Sequence, residues 1–208
     1  MARYTGPDCR LCRREKTKLF LKGSKCEGPK CPVERRPYPP GEHGRGRTKE
    51  SEYLLQLREK QKARRIYGIL EAQFHNYYVE ASRRKGITGE VLLQLLETRL
   101  DNVCYRGGLA RSRDQARQLV RHSHVTVNGR KVNIPSYQVK PGDVVQVKEK
   151  MRGNLNVHES IQLQTGRPQP GWIELNAGEA KLTVNSVPSR DQVEVPLQEQ
   201  LIVELYSK

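Results

Sequence analysis

With 208 residues the chain has the length for one ordinary core or two small ones, and 35% hydrophobic content with a mean hydropathy of -0.79 leaves those cores thin. A formal charge of +15 and an isoelectric point near 9.8 point to a polyanionic partner, nucleic acid before anionic membrane. No apolar run of about 18 residues and no secretory-type start occurs, so no membrane partner is expected and the chain is read as cytoplasmic.

The charge is uneven. Residues 1–50 carry 14 Lys/Arg against 6 Asp/Glu and residues 51–150 carry 19 against 10, whereas residues 151–208 carry 5 against 7. The basic surface therefore belongs to the first 150 residues, and the acidic remainder is expected to pack the fold and meet a protein neighbour.

Residues 1–50 form an arm rich in Cys, Pro, Gly, Lys and Arg, with almost no apolar periodicity beyond Leu19-Phe20-Leu21. Such a segment needs an internal staple or an external partner to fold. Cys9 and Cys12 enclose two residues, Cys26 and Cys31 enclose four, and thirteen lie between the pairs. In a reducing compartment this spacing reads as one structural zinc ion in a closed four-thiolate shell, against two disulfides or four unrelated thiols. A shell with no open position does no hydrolysis, and Arg10, Arg13 and Arg14 beside it favour thiolates. Downstream, Arg35, Arg36, Tyr38, His43, Arg45 and Arg47 alternate with stiff prolines and flexible glycines. That composition suits close approach to RNA, and its plain alternative is a solvated linker.

From Ser51 the spacing turns helical. Helices are expected over 51–66, 71–84 and 89–97, punctuated by Gly68, Gly86 and Gly89, with another over 99–106 closed by Gly107-Gly108. The first carries the basic run Arg58, Lys60, Lys62, Arg64 and Arg65. Ser112 followed by Gln115 fits a capping box opening a helix to about Arg121. On it Arg113, Arg117 and Arg121 recur at four-residue steps and form one face, either a phosphate-contacting stripe or simply a solvated one.

Val125-Thr126-Val127 then reads as a strand, with Asn128-Gly129 as a type I′ turn. The hairpin brings Asn128, Arg130 and Lys131 beside His122 and His124, and with Arg3, Arg10, Arg13, Arg14, Arg111 and the basic run from Arg58 to Arg65 they complete the candidate RNA-contacting set. His43, His122 and His124 lack the carboxylate or cysteine partners of a ligand or acid–base motif and read as surface or RNA-packing residues. Pro141-Gly142-Asp143 is a second turn, before a strand at 144–147. Further strands are expected at 172–175, 181–184 and 201–205. No phosphate-binding loop or nucleophile elbow appears, so no catalytic residue and no small-molecule substrate are expected.

Several strings are familiar: the opening Met1-Ala2-Arg3-Tyr4-Thr5-Gly6-Pro7, then Leu57-Arg58-Glu59-Lys60-Gln61-Lys62, Arg65-Ile66-Tyr67-Gly68, Arg99-Leu100-Asp101-Asn102-Val103, Ala116-Arg117-Gln118-Leu119-Val120, and the ending from Gln200 to Lys208. On these the chain resembles the S-four family of bacterial small-subunit ribosomal proteins along essentially its whole length. The resemblance implies an α+β protein. Its first lobe is mainly helical, with a zinc-bound arm at 1–50, helices at 51–97 and the end, about 196–208, packing back. Residues 98–195 form an S-four-type RNA-binding module of two helices and a small, mostly antiparallel sheet.

It further implies a structural role in the small subunit: binding the five-way junction of the ribosomal RNA 5′ domain, early assembly, and contact with protein S-five linked to accuracy. Arg45, Arg47 and Lys49 match a stretch associated with incoming messenger RNA, and some members repress their own synthesis. Only some members retain four cysteines, as this chain does. The alternatives are an RNA-modifying enzyme or translational regulator using the same module, for which no catalytic domain has room, and a DNA-binding regulator, for which no recognition helix is evident.

Overall fold

The computed structural model describes residues 3–46, 49–165 and 169–208. In chain order these form α1 (Asp8–Glu15), α2 (Pro32–Arg35), α3 (Glu52–Tyr67), α4 (Glu71–Arg83), α5 (Thr88–Glu97), α6 (Leu100–Arg106) and α7 (Arg113–Arg121). Strands β1 (Val125–Val127), β2 (Arg130–Lys131) and β3 (Val144–Val147) follow, then α8 (Glu149–Arg152), α9 (Leu155–Thr165), β4 (Ile173–Asn176), β5 (Lys181–Val184) and α10 (Glu199–Ser207). The chain divides into two compact units, Met1–Leu92 with Val195–Lys208, and Leu93–Glu194.

In the first unit the Ser51 hydroxyl accepts the Leu54 N–H at 3.3 Å to start α3, and Gly68, at a φ of 63°, ends it in the left-handed conformation that glycine adopts without penalty. Gln56, Lys60, Ala63, Ile66 and Tyr67 form the buried ridge of α3, against which α10 packs. Residues 201–205 are therefore helical and not a strand. Their apparent alternation is the buried Ile202 with Tyr206 one turn on, whose ring stacks on Tyr78 at 4.6 Å and lies near Phe74. Polar contacts fix the register: Gln56 donates to Glu204 at 3.1 Å, and Lys208 donates to Gln56 at 3.0 Å.

Glu71 ties three helices together. Its carboxylate accepts from Lys60 at 2.7 Å, Arg64 at 2.8 Å and the Tyr206 hydroxyl at 2.7 Å. Burial pushes the Glu71 carboxyl up, but the bonds from Lys60 and Tyr206 and the nearby cations outweigh it and hold the group below its ordinary value. A depressed folded-state value means that this stability is present above the unfolded carboxylate range, near about 4.3, and is lost as pH falls through the folded value. Glu71→Gln is expected to lower the thermal midpoint at pH 7 and to converge on wild type as pH drops below about 4. Thermal scans at the two pH values test this, and a gap of equal size at both would refute it.

In the second unit α6 and α7 cover a five-stranded antiparallel sheet of order β2-β1-β3-β5-β4. Alternate residues of β1, β3 and β5 point inward, so Val125, Val127, Val145, Val147, Leu182 and Val184 join Leu100, Val103, Leu119, Val120 and Trp172 in one core. Asn128 and Gly129 take φ values of 50° and 76°, the positive pair that a type I′ turn requires. Ser112 caps α7 through the Gln115 N–H at 3.3 Å, while the Gln115 side chain reaches back to the Arg111 N–H at 2.9 Å, one residue beyond the expected box. Helix α9 has no counterpart among the expected elements. Only Val157 and Ile161, one turn apart, are its buried apolar residues, with exposed Leu155 and Leu163 blurring the helical stripe.

Candidate RNA interface and metal site

The four arm cysteines are reduced, and Cys12, Cys26 and Cys31 are buried. Cys12 is raised to about 11, by burial first and then by the Cys26, Cys9 and Cys31 sulfurs, with a Leu19 N–H bond opposing; Cys26 is raised likewise, its sulfur accepting the Lys22 N–H at 3.3 Å. Backbone N–H bonds to the Cys12 and Cys26 sulfurs are contacts of the kind that support thiolate ligands. Among the described residues no three His, Cys, Asp or Glu side chains are already gathered as a ligand shell. Cys104 lies in the other core, fully buried, and burial pushes its thiol up.

The cations of the second unit sort by exposure. Arg121, His122, Arg130 and Lys131 are exposed and His124 is half-buried. The His122 and His124 rings stand 5.9 Å apart at a steep angle, across the left-handed Ser123. Arg113 donates to Asn102 Oδ1 at 2.9 Å and lies over the Tyr105 ring at 4.4 Å. Arg117 corrects the expected three-arginine face: it is 4% exposed and donates to Asp101 Oδ2 at 3.1 Å. Helical spacing aligned it with its neighbours, but α6 packs over that position and supplies the carboxylate. Asn128 is exposed, yet its amide donates to Asp143 at 2.8 Å and accepts the Val144 N–H at 2.9 Å, which commits it to the turn.

The basic run on α3 is also turned inward. Arg58 and Arg65 meet the buried Glu15 carboxylate of α1, Lys60 and Arg64 meet Glu71, and Lys62 meets Glu59. Lys60 is itself buried. Burial raises the Glu15 carboxyl in spite of its arginines. Arg58, Lys60, Arg64 and Arg65 thus join α3 to α1 and α4, while Lys62 pairs within α3, so the five are not an open RNA-contacting set. In the arm, Arg3, Arg10, Arg14, Arg35, Arg36, His43 and Arg45 are exposed, and Arg13 and Tyr38 are half-buried. Arg47 lies outside the described residues.

Two family descriptions match the chain, "Ribosomal protein S4/S9 N-terminal domain" over residues 3–97 and "S4 domain" over residues 98–145. Proteins named small ribosomal subunit protein uS4 are similar over 100% of both chains. One from Acidothermus cellulolyticus is 64% identical, one from Frankia alni 62% and one from Pelotomaculum thermopropionicum 61%. The chain belongs to the uS4 family. This is a structural, non-enzymatic family, in agreement with a sequence that offers no catalytic constellation. Among the described residues no helix is long and apolar enough to cross a membrane.

One basic residue of this uS4 chain escapes notice in the sequence. The Lys148 N–H donates to the His124 carbonyl at 2.8 Å, which sets Lys148 beside the histidine pair. The strand register carries the signal, because Val125 pairs with Val147 and the residues one step outside that pair are His124 and Lys148.

Proposed function

We propose that the chain is a structural constituent of the small ribosomal subunit in the cytoplasm, where it holds folded ribosomal RNA and does not catalyse a reaction. The observation that carries this reading is full-length identity of 60–64% to proteins named small ribosomal subunit protein uS4. The exposed cations of the second unit, Arg121, Arg130 and Lys131, with His122 beside them, supply the charge that such contact needs. Within that role we propose that the chain binds the five-way junction of the 5′ domain early in assembly and meets protein S-five. We also propose that it borders incoming messenger RNA through Arg45, Arg47 and Lys49, and that Cys9, Cys12, Cys26 and Cys31 hold one structural zinc ion. The resemblance supports the first three. Cysteine spacing supports the fourth.

The RNA reading is tested by affinity for 5′-domain RNA across salt concentrations, comparing wild type with Arg121→Gln plus Arg130→Gln. Each phosphate left without its arginine is expected to flatten the log-log salt dependence by about 0.7 to 0.9, since fewer counterions are released. Unchanged affinity and slope, in a protein that also fails to co-sediment with small subunits, would refute it.

A further inference from the structure

Two arginines of the arm lie against one aromatic ring. The guanidinium carbon of Arg13, from α1, is 4.9 Å from the centroid of Tyr38, and that of Arg45 is 4.7 Å away. Arg13 Nε donates to the carbonyls of Arg36 at 3.1 Å and Tyr38 at 3.0 Å, and Arg45 donates to the Tyr38 hydroxyl at 3.3 Å. The chain must double back for Arg45 to reach the ring. Gly41 has a φ of 107°, and a Cβ on Gly44 would lie 1.9 Å from the Pro39 carbonyl oxygen, so both positions need glycine.

Two guanidiniums on one ring repel each other and are ordinarily neutralised. Arg58, Arg64 and Arg65 in the same unit all have carboxylate partners, whereas among the described residues no carboxylate pairs with Arg13, Arg36 or Arg45. Like charges held together by a ring and by backbone carbonyls, without an anion from their own chain, form a site pre-organised for an external polyanion. A planar guanidinium fork matches a phosphate, and two forks fixed on one ring match neighbouring phosphates of one strand.

We propose that Tyr38 is a positioning residue that sets Arg13 and Arg45 as a clamp for the backbone phosphates of an RNA strand. This deepens the RNA-holding role proposed above and rests on it. Ribosomal RNA and messenger RNA share the chemistry, so two probes separate them: isolated 5′-domain RNA and an unstructured oligouridylate.

Binding of the full chain to each probe is measured across salt concentrations. Arg13→Gln and Arg45→Gln are each expected to flatten the log-log slope by about 0.7 to 0.9 on the RNA that occupies the clamp. Tyr38→Leu removes no charge yet is expected to weaken binding about three- to tenfold, because the arginines must then be ordered on binding. Tyr38→Phe keeps the ring and stays within about twofold of wild type. Gly44→Ala opens the turn and is expected to behave like Arg45→Gln. In the Arg13→Gln, Arg45→Gln background Tyr38→Leu should cost nothing more, a dependence that a merely structural tyrosine would not show. Full additivity of Tyr38→Leu in that background, or arginine variants silent on both probes, overturns the clamp. If the arginine variants are silent while Arg121→Gln plus Arg130→Gln still loses affinity, the RNA-holding role stands and the clamp alone fails.

Discussion

Asp101→Ala is expected to unfold the second unit at temperatures that the wild-type protein withstands. Asp101 is 4% exposed and holds two buried cations, accepting from Arg99 at 3.0 and 2.7 Å and from Arg117 at 3.1 Å, while its Oδ1 also takes the Asn102 N–H at 3.0 Å. Arg99 is fully buried and Arg117 nearly so. Removing the carboxylate takes three hydrogen bonds and a negative charge away from two guanidiniums in a low-dielectric interior. Breaking a buried pair in this way typically costs about 3–5 kcal/mol, because the stranded charge, and not the missing attraction, sets the penalty. For a unit of this size the midpoint should fall by more than about 10 °C. Adding Arg117→Met removes one of the two buried cations and should recover part of the loss. Circular dichroism melts decide the matter. A loss below about 1 kcal/mol, the worth of an exposed ion pair, would show that the cluster is solvated and not part of the core.

The same cluster marks where the sequence stops being legible. Period and punctuation are local properties, so α3 with Ser51 and Gly68 at its ends, the Ser112 cap and the Asn128-Gly129 turn could be read from neighbouring residues alone. Whether a charged face meets water or a carboxylate is set by residues distant in sequence. Arg117 faces Asp101 from sixteen residues downstream, and Arg65 faces Glu15 from fifty. The spacing of Arg113, Arg117 and Arg121 is equally consistent with a buried position and an open one, and only the packing of α6 on α7 decides.

The end of the chain misleads for a related reason. Leu201-Ile202-Val203-Glu204-Leu205 is rich enough in branched residues to pass for a strand, and it becomes a helix because the buried ridge of α3 offers a groove for Ile202 and Tyr206. For RNA contact this leaves a shorter set than the basic runs suggested. The lysines and arginines of α3 are largely committed to Glu15, Glu59 and Glu71, and the exposed members of the candidate set lie in the arm, at Arg111 and Arg121, and around the β1–β2 hairpin.

Chelation should release the arm while leaving the rest of the protein folded. Among the described residues of the first fifty the buried hydrophobic ones are Cys12, Leu19, Cys26 and Cys31, so three of the four are proposed zinc ligands and Leu19 is the remaining apolar anchor. Burial of one leucine and a few thiols contributes only a few kcal/mol. A four-thiolate zinc site supplies about 10–16 kcal/mol of folding free energy near neutral pH, several times what those groups contribute, and the Glu15 pairs to Arg58 and Arg65 tether α1 to α3. The units built on Ala63, Ile66, Phe74 and Ile202, and on Leu100, Val120 and Trp172, have their own cores and should not respond. Anaerobically purified protein is expected to carry one zinc by native mass spectrometry, absent from Cys26→Ser. A strong chelator should then make trypsin cut rapidly at Arg10, Arg13 or Arg14 while the fragment from α3 onward survives. Metal-free protein whose arm resists trypsin as well as the untreated sample does, or protein isolated with Cys9, Cys12, Cys26 and Cys31 in two disulfides, would refute the zinc assignment.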